Sequence, residues 1–266
     1  MTDSNTIIAT SGKGGVGKTT IIALLLKYIL EKNPMAMPLI IDADPAANIS
    51  DVVGAKLNQG ETVGAIALAL KQQIEKGTLP LDRNKVQVLE GGVFGILKEL
   101  DSFDLLVMGR PEGEGCYCFI NSVLTGILDK LSKNYHITLL DMEAGLEHLS
   151  RRTGRDVDHL IVVSDPSKMG VQTAERIVRL AKEVKLTFKH IWIVGNRFPE
   201  TVKPQLEKMV QQLQKEGFST VTLAGFVPND DQIAEYNFAG NSLLQLPPTN
   251  PAYVAFKEIA KKFSFL

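Results

Sequence analysis

Short apolar runs recur along the chain, each followed by a stretch whose apolar positions fall at helical spacing. The segments "TIIAT" (6–10), "PLIIDAD" (38–44), "FDLLVMG" (103–109), "ITLLDM" (137–142), "HLIVVSD" (159–165), "HIWIVGN" (190–196) and "TLAGFVP" (222–228) read as buried strands. "TTIIALLLKYILEK" after the first strand, "TVGAIALALKQQIEKG" (62–77) and "CFINSVLTGILDKLSK" (118–133) read as helices, and stretches of helix length follow the later strands. Uninterrupted apolar strands alternating with helices predict an α/β fold, a mostly parallel sheet covered by helices on both faces. With 266 residues, 44% of them hydrophobic, and no repeat, low-complexity tract or linker, one domain spanning 1–266 is expected.

The last segment, "PAYVAFKEIAKKFSFL" (251–266), places Tyr253, Phe256, Ala260 and Phe263 on one helical face, with Lys257, Lys261 and Lys262 largely elsewhere. Such a face suits a helix lying on a membrane, or the last helix of the domain packed on the sheet. The Asn250-Pro251 start favours the second. A formal net charge of −1 gives no electrostatic case for nucleic-acid binding. No apolar run approaches the ~18 residues of a membrane span. The start "MTDSNTIIAT" has no basic region followed by a long apolar run, so no signal peptide is expected. Two cysteines and no export signal point to a reducing cytoplasm.

The loop "GKGGVGKTT" (12–20) lies between the first strand and the first helix and satisfies G-x-x-x-x-G-K-[ST] through Gly12, Gly17, Lys18 and Thr19. Its glycines, Gly12, Gly14, Gly15 and Gly17, let backbone N–H groups turn toward phosphate oxygens, and the helix start adds its dipole. Val16 and Thr20 complete the cradle. Lys18 would reach the β and γ phosphates of ATP or ADP, and the Thr19 hydroxyl would hold Mg²⁺. These features mark a P-loop NTPase.

A second lysine, Lys13, follows the first glycine. The K-G-G-V-G-K-T pattern resembles the deviant Walker A loop of the ATPase group that includes cell-division and plasmid-partition ATPases, nitrogenase iron protein and metal-insertion ATPases. In that group the early lysine reaches across a homodimer to the partner's nucleotide, so the resemblance implies a catalytic Lys13 supplied in trans, as an arginine finger is. It also implies roles at the strand ends. In "DADPAAN", Asp42 would sit near the metal and Asp44 would position or activate the attacking water. In "ITLLDMEAG", Asp141 would hold Mg²⁺ through water and the Gly145 N–H would sense the γ-phosphate. Asn196, ending "IVGN", would read the adenine edge. Glu143 stands in the same switch with no role assigned.

Both cysteines lie in "GEGCYCFIN" (113–121), just before a predicted helix. Cys116 and Cys118 are too few to close a metal site within one chain, and a disulfide across one residue would be strained. A thiolate at a helix start is favoured by the dipole, which suits metal ligation. Across a two-fold axis, two copies supply four thiolates. A deviant phosphate loop with a mid-chain "CYC" resembles the nickel-insertion accessory ATPases of carbon monoxide dehydrogenase and their relative for acetyl-CoA synthase. The resemblance extends through "DMEAGLEHL" and "TNPAYV". It implies a homodimer that binds Ni²⁺, with Zn²⁺ possible in its place, at a shared four-cysteine site and delivers it to a client nickel enzyme. Two other readings stay open at this point: a positioning ATPase acting on membranes or DNA, and an iron–sulfur cluster scaffold. The four histidines, His136, His148, His159 and His190, show no metal-binding spacing.

Overall fold

The alternation of strands and helices resolves into one sheet of eight strands in the order β3-β4-β2-β5-β1-β6-β7-β8. The computed structural model describes residues 5–44, 48–58, 60–78, 84–109, 126, 129–142, 157–183 and 188–263. The strands are β1 (Thr6–Ser11), β2 (Leu39–Asp42), β3 (Lys98–Glu99), β4 (Asp104–Val107), β5 (Ile137–Asp141), β6 (His159–Ser164), β7 (His190–Asn196) and β8 (Val221–Val227). Every pairing is parallel except that of β3 with β4. Each strand named from the sequence is present. The two-residue edge strand β3 is additional.

Successive strand residues feed two cores. Ile7, Leu39, Ile41, Leu106, Leu140, Leu160 and Ile193 belong to one, and Ile8, Ile40, Leu105, Leu139, Ile161, Trp192 and Val194 to the other. Both faces of the sheet are therefore covered, which is why the strands read as unbroken apolar runs.

Helix α1 (Lys18–Lys32) follows the phosphate loop and is buried at Lys18 and at every position from Ile21 to Ile29. Helices α2 (Ile49–Val53), α3 (Val63–Glu75) and α4 (Lys85–Gly95) follow. The Thr62 hydroxyl caps α3 by accepting from the Ala65 N–H at 3.2 Å. The helix expected over 118–133 lies mostly outside the described residues, with 129–132 helical. Helix α5 (Lys168–Glu183) buries Gly170, Ala174, Ile177, Val178 and Ala181, one face at helical spacing. It is followed by α6 (Lys203–Lys215) and α7 (Asp231–Ala239).

Helix α8 (Pro251–Ala260) decides between the two readings of the final segment. Asn250 caps it, its side-chain oxygen accepting from the Tyr253 N–H at 2.9 Å, and Pro251 opens the first turn. Tyr253 and Phe256 are fully buried, Phe263 is 2% exposed, and all three lie in the core shared with α1. The apolar face is the domain's own packing surface and not a membrane-facing one. Among the described residues, no helix is long and apolar enough to cross a membrane.

Candidate functional site

The phosphate loop joins β1, at the middle of the sheet, to α1. Gly12 has φ 155°, and a side-chain carbon there would lie 2.3 Å from the Val163 carbonyl oxygen, so the loop passes too close to β6 for any other residue. Helix α1 begins on Gly17, in the left-handed conformation and without a side-chain cap. Its first-turn N–H groups, on Lys18, Thr19 and Thr20, are those that a helix start offers to an anion. Lys18 is 7% exposed. Its ammonium donates to the carbonyls of Gly12 at 3.3 Å and Lys13 at 3.4 Å, folding back into the loop. Gly14 and Gly15 are exposed at the loop's crest, and Val16 is buried beneath it.

Two carboxylates end adjacent strands beside this loop. Asp42 and Asp141 are register partners on β2 and β5, and both are buried, at 0% and 1% exposure. One Asp42 oxygen accepts from the Asp44 N–H at 3.0 Å, the other from the Ile49 N–H at 3.1 Å. Burial first, then repulsion from Asp141, pushes the Asp42 carboxyl up to about 7. Asp141 is also pushed up by burial, against the opposing pull of the Thr19 and Thr10 hydroxyls and Lys18. Its Oδ1 accepts from the Thr10 hydroxyl at 3.1 Å, while Oδ2 is buried without a hydrogen-bond partner. An orphaned carboxylate oxygen, with the Asp44 charge adding to the repulsion, is what a cation-bound water would satisfy. Among the described residues no three acidic, histidine or cysteine side chains converge on one point. Mg²⁺ keeps most of its waters and takes phosphate oxygens as ligands, so one such carboxylate suffices to face it through water. The uncapped helix start and the orphaned carboxylate together fit Mg²⁺ and a nucleotide phosphate chain.

Lys13 is partly exposed, its ammonium 3.8 Å from Asp165 Oδ2. Asp165 follows β6 and is fixed by the Ser167 N–H, which donates to its Oδ1 at 3.2 Å, and by the Ser167 hydroxyl. Asn196, 4% exposed, donates from its amide to the Val16 carbonyl at 2.8 Å. The structure thus places Asn196 against the back of the phosphate loop. Arg197 donates to the Gly15 carbonyl at 2.9 Å. No motif spacing in the sequence marks Asp165 or Arg197. Each follows the last residue of a central parallel strand, at the edge where α/β sheets bind ligands, and that position is the available signal. Cys116, Cys118, Gly145, Glu143 and His148 lie outside the described residues.

Residues 7–243 match the family model of the CobQ/CobB/MinD/ParA nucleotide-binding domain. The chain is 44% identical over 256 residues to an uncharacterised ATP-binding protein of Methanocaldococcus jannaschii, covering 96% of this chain and 97% of that one. It is 32% identical over 258 residues to the carbon monoxide dehydrogenase accessory protein CooC of Rhodospirillum rubrum, covering 91% and 90%. Its fold is similar to that of the septum site-determining protein MinD of Pyrococcus horikoshii, solved with Mg-ADP, at a TM-score of 0.65 and 20% identity, covering 96% of this chain and 94% of that one. With the phosphate loop, the uncapped helix start and the paired strand-end aspartates in place, the chain belongs to the CobQ/CobB/MinD/ParA family of nucleotide-binding domains and is a nucleotide-hydrolysing ATPase.

Proposed function

We propose that this ATPase is a metallochaperone that binds nickel between two copies of the chain and delivers it to a carbon monoxide dehydrogenase or acetyl-CoA synthase. The observation that carries the reading is the Cys116-Tyr117-Cys118 sequence in a chain that aligns along most of its length with a relative named as a carbon monoxide dehydrogenase accessory protein. One chain offers two thiolates; a two-fold pair offers four, a complete set for a tetrahedral ion. The membrane-positioning alternative loses its best support, because the apolar face of α8 is core.

In this reading the first-turn N–H groups of α1 bind the phosphates of ATP. Lys18 exchanges the Gly12 and Lys13 carbonyls for the β and γ phosphate oxygens. Thr19 and Asp141 would hold Mg²⁺, with Asp42 beside them; an ion there would neutralise charge on the β and γ phosphates. Asp44 orients the water whose oxygen attacks the γ phosphorus as the bond to the β-γ bridging oxygen breaks, and the Gly145 N–H registers the γ-phosphate. Lys13 leaves Asp165 and crosses to the partner's nucleotide, which ties hydrolysis to the paired state. Pairing brings the cysteine pairs together, and separation after hydrolysis divides the ligand set and frees the cargo. By linkage, nickel tightens ATP binding by the factor with which ATP tightens nickel binding.

The test is nickel stoichiometry and oligomeric mass of anaerobic protein, with and without a non-hydrolysable ATP analogue, beside a Cys116→Ser/Cys118→Ser variant. One nickel per two chains, tightened by nucleotide and lost in the variant, is the expected result. Equal nickel affinity with and without nucleotide removes the central claim. A brown protein absorbing near ~400 nm, a general cluster signature, would redirect the reading to an iron–sulfur scaffold.

A further inference from the structure

We infer that Asn196 and Arg197 form a clamp that sets the phosphate loop from behind, so that the end of β7 tunes phosphate binding itself. The inference concerns the nucleotide site alone and stands apart from the nickel reading. A trans peptide is planar, with its N–H and C=O pointing in opposite directions. Fixing a carbonyl therefore aims the N–H of the next residue. The Asn196 amide holds the Val16 carbonyl at 2.8 Å, which turns the Gly17 N–H to the opposite side of the loop from Asn196. The Arg197 guanidinium holds the Gly15 carbonyl at 2.9 Å. That turns the Val16 N–H inward onto the Lys13 carbonyl at 3.4 Å, the same oxygen that receives the Lys18 ammonium.

Three further observations mark the contact as built. A side-chain carbon at Gly17 would lie 2.3 Å from the Asn196 amide nitrogen and 3.2 Å from the Arg197 guanidinium, so the clamp closes only on glycine. Arg197 has φ 61°, a left-handed backbone that a side chain rarely adopts. The Arg197 N–H nevertheless stays bonded to the Val227 carbonyl at 2.8 Å, anchoring that turn to β8. The strained conformation directs the side chain back over the loop. Two hydrogen bonds thus act on two consecutive peptides of the anion cradle.

An amide that reads adenine and an amide that sets the loop differ in one measurable way. The clamp acts on phosphates whether or not a base is attached. Binding of Mg-ATP, Mg-GTP and magnesium tripolyphosphate, which has no base, is therefore measured calorimetrically on the full chain and on the Asn196→Ala, Arg197→Ala and Arg197→Lys variants. The expected result is tripolyphosphate affinity lower by about tenfold in Asn196→Ala and Arg197→Ala, the effect of losing one hydrogen bond to the loop. ATP should weaken in parallel, and Arg197→Lys, which keeps a donor, should recover part of the loss. Binding stoichiometry separates positioning from damage: a misaimed loop shifts affinity at full stoichiometry, whereas partial unfolding lowers stoichiometry at unchanged affinity. If Asn196→Ala does not fold, exposed Arg197 carries the test alone. Unchanged tripolyphosphate affinity in folded variants, with or without a lost preference for ATP over GTP, overturns the clamp.

Discussion

In the ligand-free protein the Asp42 carboxyl titrates near neutrality, pushed up to about 7 from 3.8 by burial and then by Asp141 opposite it. The folded state thus keeps a proton over a range in which the unfolded chain has already released it. The stability this group allows is complete below the unfolded value and falls as pH rises toward the folded one. The penalty is about 2 kcal/mol at pH 5 and about 4 kcal/mol at pH 8, so about 2–3 kcal/mol disappears between those points. Asp42→Asn removes the titration. It also replaces the oxygen that accepts from the Ile49 N–H with an amide nitrogen, at a cost of about 1–3 kcal/mol at any pH. The variant should therefore lie within about 1 kcal/mol of wild type at pH 5, where the two effects offset, and should gain on it by about 2–3 kcal/mol by pH 8. Urea unfolding of nucleotide-free protein in chelator, at several pH values, reads the difference directly. Parallel curves for the two proteins would refute the coupling of buried charge to stability at this site.

Three other outcomes are expected. Lys13→Ala should lower hydrolysis by about 10³-fold or more, while ADP binding stays within a few-fold, because the side chain is partly exposed and pairs only at the loop's rim; phosphate release and an ADP titration measure the two, and hydrolysis within tenfold of wild type would count against a role in trans. His159, held down to about 4 by burial first, should stay neutral in the fold as pH drops. Its contribution is then whole above pH ~6.5 and lost as pH falls toward ~4, about 3 kcal/mol in all, and His159→Gln should flatten the acid limb of a stability–pH curve. Phe256→Ala, at a fully buried position, should cost about 3–5 kcal/mol in unfolding free energy, and the wild type should fail to sediment with anionic vesicles.

The fold was legible because its strands are buried on both faces and its helices carry regular apolar spacing; the exceptions are local. β3 is only Lys98–Glu99, two polar residues made a strand by pairing with β4, and no periodicity can be read from two positions. Helix α4 carries Gly91 and Gly92 in its middle, which lowers its intrinsic propensity. It is held by packing, since a side chain at Gly92 would run into Ile66 of α3. At the site, Gly12, Lys18, Asp42 and Asp141 stand out in the sequence because each sits at a fixed offset from a loop or strand end, and the fold brings them to one edge of the sheet. Asp165 and Arg197 act on the phosphate loop from more than a hundred residues away in the chain, a juxtaposition that only the sheet order β1-β6-β7 creates. The resemblance implies that Asn196 reads the adenine edge; its hydrogen bond to the Val16 carbonyl is a further contact that a strand-ending position does not announce.

The burial of α1 on all sides fixes where mechanical work can originate. Ten of its residues are buried, and sliding the helix would disturb apolar side chains worth about 1.5–3 kcal/mol each. Such a shift would approach unfolding. The floor of the nucleotide site is therefore an immovable abutment: force developed as phosphate bonds change is delivered to the strand-end loops and cannot be absorbed beneath them. Whatever displacement one phosphate produces is therefore confined to the loops above the helix.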